Sequence, residues 1–291
     1  MELTPDLPSA RLTGPRPPID PRRYIARPDL VEIGLAGEVA AARYVAPAAM
    51  RCAVPRIALR VAGDAAAIAA SELLCGERFD VFEYADGWAF GRSVADCYTA
   101  WVRTDALVEA GEPPGHRITA RSAPVFSNAD IKSAVSAELP FGAMVAGTPG
   151  ERFLALSGGG FVHNRHLEPL PSDPLAIARL FTGTPYLWGG RTPAGVDCSG
   201  LVQASLAACG IACPRDSDQQ RDGLGHAVAF DDRATGDIVF FPGHVGLLTA
   251  RDTLFHANAH WMATVEEPLA DVIGRLAAAG VETPVTGVRR L

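Results

Sequence analysis

Cys198 directly precedes Leu201, Val202, Leu206 and Cys209, whose spacing sets one apolar stripe on a helix starting at the cysteine. Asp197 is a cap of the right type for that helix. A thiol at a helix N-terminus faces free N–H groups and the positive end of the helix dipole, which favour thiolate. Gly189, Gly190 and Gly195 lead into it and let backbone pass close to a bound molecule. A thiol nucleophile also needs a base. The stretch GDIVFFPGHVGLLTARDTLFHANAH offers His244, His256 and His260. Read as a hairpin with a three-residue loop centred on Arg251, it places Gly246 opposite His256. His244 and His256 then project from one face, a diagonal step apart. His244 would take the thiol proton, and His256 would orient it and fix its tautomer. His260 competes for that second role, and strand parity favours His256. Such a set performs acyl chemistry through a thioester.

These residues need a frame, and residues 172–291 supply one. Helix signals fall at 173–181 and 199–208, with Gly210 at the expected stop. The strands GDIVFF, HVGLLT and TLFHAN follow, and a last helix covers 269–279. Helices first and an antiparallel sheet afterwards predict an α+β domain. Two strand-rich stretches precede it, 49–110 and 117–169, each with short alternating runs between Gly, Asp and Ser turns. They read as two small β-barrels, degenerate copies of one module. Residues 1–48 read as a Pro-rich arm with a short helix over 29–42, wrapped along the other domains.

Composition removes several functions. The 291 residues carry 26 basic and 33 acidic side chains, a net charge of −7 without a basic run, which argues against nucleic acid. No stretch is long and apolar enough for a membrane helix. The start has no apolar signal region, so the expected location is cytoplasmic. The six cysteines are expected to be reduced, and Cys209 and Cys213 read as a helix end, not a zinc clip. No HExxH or similar cluster is present, so no metal or other cofactor is expected. His116, His163, His166 and His226 read as surface residues. Tyr186 and Trp188 are either core or subsite walls, Arg215 and Asp216 read as a turn cap, and Tyr98 and Trp101 as core of the first module.

In order, PYLWGG, DCSGLVQ, PRDSDQQ, GDIVFFPGHVGLL and FHANAH resemble the NlpC/P60 family of bacterial cell-wall peptidases over about the last 120 residues. The texture of 49–169 resembles bacterial SH3-like domains. The resemblance implies a papain-like fold with the triad Cys198, His244 and His256. It implies cleavage between γ-D-glutamate and a diamino acid in murein peptides. Asp197, Ser199 and Ser217 match substrate-holding positions, and the Cys198 N–H and Tyr186 match the oxyanion region. It further implies that the first module can close one end of the groove, so that only peptides with a free N-terminal L-alanine enter. Asp197 would then meet the ammonium, Tyr98 would come from the YTAW strand, and Glu72 would be a second carboxylate. Ala100 departs from the glycine that relatives commonly carry there. The expected substrate is free L-Ala-γ-D-Glu-diaminopimelate in wall recycling. The alternatives are a wall-binding protein and an acyl transferase acting on intact peptidoglycan; oligomeric state is left open.

Overall fold

The computed structural model describes residues 19–291. Its C-terminal part holds a six-stranded antiparallel sheet. The order is His226–Ala227, Gly287–Arg290, Ile238–Phe241, His244–Ala250, Thr253–Asn258, Ala263–Pro268. The strand period of two sorts its apolar residues. Ile238 and Phe240 pack with Val245, Leu247 and Phe255 on one face, and Val239 and Phe241 with Leu248 and Leu254 on the other. The first face is covered by helices α1 (Pro174–Ala178) and α2 (Cys198–Ala208), through Ile177, Leu201, Val202 and Leu206. A polar helix, α3 (Ser217–Gly223), is tied to α2 by Gln220, whose amide donates to the Ser199 and Pro214 carbonyls at 2.9 and 2.8 Å. Helix α4 (Leu269–Ala278) covers the second face through Leu269 and Val272. Both faces being covered, the strand Ile238–Phe241 is buried at every residue.

Asp173 caps α1 by accepting from the Leu175 N–H at 3.0 Å, and Gly210, at φ 76°, ends the chain segment of α2. In the hairpin Leu247 lies opposite Phe255, the register that places Gly246 against His256. The turn differs from the expected three-residue loop. Ala250 pairs with Thr253, and a bulge between Leu248 and Ala250 absorbs the extra residue.

The two preceding β modules are open sheets, not closed barrels. In the first, seven strands run from Ala69–Leu74 at one edge to Leu107–Glu109 at the other, around a core of Leu59, Leu73, Phe79 and Val102. The edge strand Ala69–Leu74 is met by the C-terminal part instead of by the opposite edge. The Arg191 N–H donates to Glu72 Oε2 at 2.8 Å and its guanidinium to the Glu72 carbonyl at 2.8 Å. The second module splits into a five-stranded sheet and a two-stranded ribbon, His116–Arg117 with Met144–Val145.

The helix expected over 29–42 is absent. Val31–Glu32 instead pairs in parallel with Tyr44–Val45, and one 3₁₀ turn, Ile33–Leu35, lies between. Gly34 and Gly37, the latter at φ 95°, interrupt any helical run. Ile25 and Leu30 are buried with Phe82, so this part of the arm is pinned to the first module. Residues 1–18 of the expected arm lie outside the described residues.

Candidate active site

Asp197 caps α2 and is saturated in doing so. Its Oδ1 accepts from the Gly200 N–H at 2.7 Å and its Oδ2 from the Gly189 N–H at 2.8 Å. The Arg215 guanidinium, 1% exposed, donates to the same carboxylate at 3.0 and 2.5 Å, to Ser199 Oγ at 2.8 Å and to Ser71 Oγ of the first module at 3.0 Å. Gly200 is demanded by the fit, since a Cβ there would lie 2.2 Å from the Gly190 carbonyl oxygen. The glycine-rich lead-in therefore serves to press this loop against the start of α2, with Cys198 as its first residue.

The helix start does not leave Cys198 as a thiolate. Burial pushes the thiol up to about 12, Asp197 adds to this, and the Val245 backbone and Arg215 oppose it. Desolvation thus outweighs the helix dipole in the free protein. The contact with Val245 puts the sulfur beside the strand that begins at His244.

Behind His244 stands a chain of partners. His244 Nε2 lies 2.8 Å from His256 Nδ1, and His256 Nε2 lies 2.8 Å from Glu267 Oε1. Arg275 on α4 donates to both Glu267 oxygens at 2.7 and 2.6 Å. Burial works against the Glu267 charge, but Arg275 and His256 more than offset it and hold the carboxyl below its usual value. A carboxylate only accepts, so His256 Nε2 carries the proton and its Nδ1 is bare. The Asn258 amide nitrogen lies farther from His256 Nε2, at 3.3 Å, and is its weaker neighbour. His244 Nε2–H must then donate to His256, which leaves His244 Nδ1 as the free base.

Burial first, and then His256, depress His244 to about 3, and burial also lowers His256. Both imidazoles are neutral when folded but take up protons near their ordinary value when unfolded. Their folded values are depressed, so stability is greatest above about pH 6.5 and falls as the pH drops from there toward 3. Thermal melts should show Tm declining between pH 6.5 and 4, more in the wild type than in His244→Gln; equal slopes would contradict this burial.

Cys198, Asp197, Ser199, Ser217, Tyr98 and Trp188 line one cleft of about 410 Å³. Tyr186 is half-buried, and burial, followed by the Cys198 charge, raises its phenol, so it remains a protonated donor near the sulfur. Trp188, 63% exposed, stands on the rim and is not core. Tyr98 belongs to the cleft as well as to the first module. Ala100 is accommodated opposite Gly91.

Two expectations fail. Glu72 does not line the cleft: it is buried and bound to Arg56 and to the Arg191 N–H, joining module to domain. Asp197 has no capacity left for a substrate ammonium. Asp216, read from sequence as a turn cap, instead lines the cleft and makes no capping bond to α3. Burial raises its carboxyl, against Arg215 and Arg22. His260 is exposed, with its ring edge-on to Trp261. Neither His116, His163, His166 nor His226 lines the cleft, although the first three are half-buried. All six cysteines are free. Among the described residues no group of three or more His, Cys, Asp or Glu could hold a metal ion, and no helix is long and apolar enough to cross a membrane.

Glu267 and Arg275 escaped the sequence reading, although parity could have found the first. Val265 pairs with His256, so Glu267, two residues on, shares its face.

Residues 183–273 match the NlpC/P60 family, and residues 59–107 match the bacterial dipeptidyl-peptidase SH3 domain. The bifunctional muramidase/DL-endopeptidase CwlT of Bacillus subtilis is 39% identical over 90 residues, 28% of this chain and 27% of that protein. The gamma-D-glutamyl-L-lysine dipeptidyl-peptidase of the same organism is 35% identical over 117 residues, 37% of this chain and 38% of its own. The matches thus span well under half of these relatives. The crystal structure of an NlpC/P60 family protein from Bacillus cereus superposes with a TM-score of 0.68 at 17% identity, over 83% of this chain and 99% of that one, a likeness of fold alone. The chain therefore carries an NlpC/P60 peptidase-family domain, preceded by a bacterial dipeptidyl-peptidase SH3 domain.

Proposed function

We propose that this protein is a cysteine peptidase that cleaves the γ-D-glutamyl–diamino acid bond of free murein peptides, L-Ala-γ-D-Glu-diaminopimelate being the type. The observation that carries this reading is that Tyr98, Val61 and Ile68 of the first module line the same cleft as Cys198 and Asp216. Of the expected arm, the described residues 19–48 serve as an arm on the first module, with 49–110 and 117–169 as SH3-like modules and 172–291 as the peptidase domain. The second module repeats the first in pairing: Arg60 meets Trp101 there, and Phe126 meets Phe161 here.

The reaction follows from the tautomers. His244 Nδ1 takes the thiol proton as Cys198 Sγ bonds to the γ-glutamyl carbonyl carbon. The oxyanion is met by the Cys198 N–H, which has no helical acceptor at the first position, and by the Tyr186 hydroxyl. His244 returns the proton to the departing diamino acid nitrogen as the amide C–N bond breaks. Water, deprotonated by His244 Nδ1, then bonds to the thioester carbon; the C–S bond breaks and His244 passes the proton to the Cys198 sulfur. Glu267 and Arg275 keep His256 in the tautomer that this needs.

At the other end of the peptide the alanine ammonium meets Asp216 beside Tyr98. Burial, and then the Asp216 charge, raise the Tyr98 phenol, so it stays a neutral donor. The lysine-directed name of one relative supports a diamino acid after the scissile bond. A role in wall recycling and a cytoplasmic site of action belong to the same proposal. Acetylating the alanine amine removes the charge and leaves Asp216 without its partner, so kcat/KM should fall at least about 100-fold. Equal rates on free and acetylated peptides, or release of peptides from purified sacculi, would overturn the free-peptide reading.

A further inference from the structure

One wall of the cleft comes from the N-terminal arm, outside both matched regions. Arg22, in the N-terminal arm, lines it together with Asp216 and Asp218. Its guanidinium donates to Asp216 Oδ2 at 3.0 Å, to Asp218 at 3.0 and 2.9 Å, and to Asp20 at 2.8 Å. The arm backbone is held separately on the first module. The Thr99 N–H donates to the Arg22 carbonyl at 2.8 Å, and Thr99 Oγ1 to the Pro21 carbonyl at 2.6 Å. Gln219 on α3 reaches Asp20 at 2.9 Å. One arginine thereby links the arm, held on the first module, to Asp216 at the start of α3.

We propose that Arg22 is a positioning residue of the substrate site, which bridges the arm to α3 at the rim of the cleft and keeps Asp216 charged and aimed at the substrate ammonium. The inference rests on the free-amine reading above and deepens it. Four groups face Asp216: Arg215 from the adjacent position, Arg22 from the arm, Asp218 from α3 and Tyr98 from the first module. Arg215 lowers the Asp216 carboxyl and Asp218 opposes it, but Arg215 is committed to Asp197 with its two terminal nitrogens, so Arg22, which bonds Asp216 Oδ2 directly, is the cation that can be removed without breaking the start of α2. Burial already raises the Asp216 carboxyl, and losing Arg22 would raise it further. A protonated Asp216 cannot pair with an ammonium. Affinity should therefore fail at a higher pH in the variant than in the wild type.

The test measures kcat and KM from pH 5 to 8 for wild type, Arg22→Gln and Arg22→Lys, on free and N-acetylated L-Ala-γ-D-Glu-diaminopimelate. For the free peptide, Arg22→Gln should raise KM about 10-fold at pH 5 and about threefold or less at pH 8, with kcat within about twofold. Arg22→Lys should restore the pH profile, because it restores the charge. Thr99→Val, which loosens the arm and keeps the guanidinium, should leave the profile where it is. If wild type prefers the free amine and Arg22→Gln keeps the wild-type KM and profile, Arg22 is only a tether and the inference is overturned while the free-amine reading stands. If wild type cleaves both peptides alike, that reading falls, and the inference with it.

Discussion

Cys198→Ala is expected to lower kcat/KM on L-Ala-γ-D-Glu-diaminopimelate by at least about 10⁴-fold, since no thioester can form. The protein should otherwise stay intact. The deleted atom is one sulfur at the start of α2, and Asp197, Gly200 and Arg215, which hold that start, are untouched. Urea denaturation should register a loss of less than about 1 kcal/mol, in the range of a small side-chain deletion. Peptide cleavage followed by mass spectrometry checks the first number. A variant that kept a tenth of wild-type turnover would remove Cys198 from the chemistry.

Arg215→Met should have the largest effect on stability. It leaves Asp197 buried with no cation and only two backbone N–H groups and the Ser199 hydroxyl as partners, and it strips Ser71 and Ser199 of their donor. Breaking one side of a buried ion pair typically costs about 3–5 kcal/mol. The midpoint of urea unfolding should fall accordingly, and activity with it, because Cys198 follows Asp197 directly. Adding Asp197→Asn should recover part of the loss, since asparagine still caps the Gly200 N–H and carries no charge. A single variant that lost less than about 1 kcal/mol would show that the pair does not hold the loop.

The helices on either side of Cys198 were legible because their apolar spacing, caps and stop residues agree with one another, as Asp173, Asp197 and Gly210 illustrate. The hairpin register was legible from parity, and the bulge was not, because nothing local distinguishes Thr249 from a paired residue. Helix α3 has no apolar period and is fixed by Gln220 bonding to another element, a relation that no window of sequence displays. The same holds for the carboxylates. Asp197 and Asp216 look equally available in the sequence, and only the distant Arg215 and Arg22 decide which is spent on structure. Over 29–42 a helix was expected, and pairing of Val31–Glu32 with Tyr44–Val45 prevailed. Glu72 was misplaced because its partner, Arg191, lies 119 residues away.

That long separation bears on how the protein is made. Ser71, Glu72 and Glu77 leave the ribosome well before Arg191 and Arg215, and a domain made first generally folds first. Each arginine is almost fully enclosed in the finished molecule, Arg191 against Glu77 at 3.0 Å and Arg215 against Asp197 and Ser71. A first module that folds as it is made presents those oxygens before the loop leading to Cys198 emerges. The order of synthesis thus makes the first module a template on which the catalytic loop is laid down.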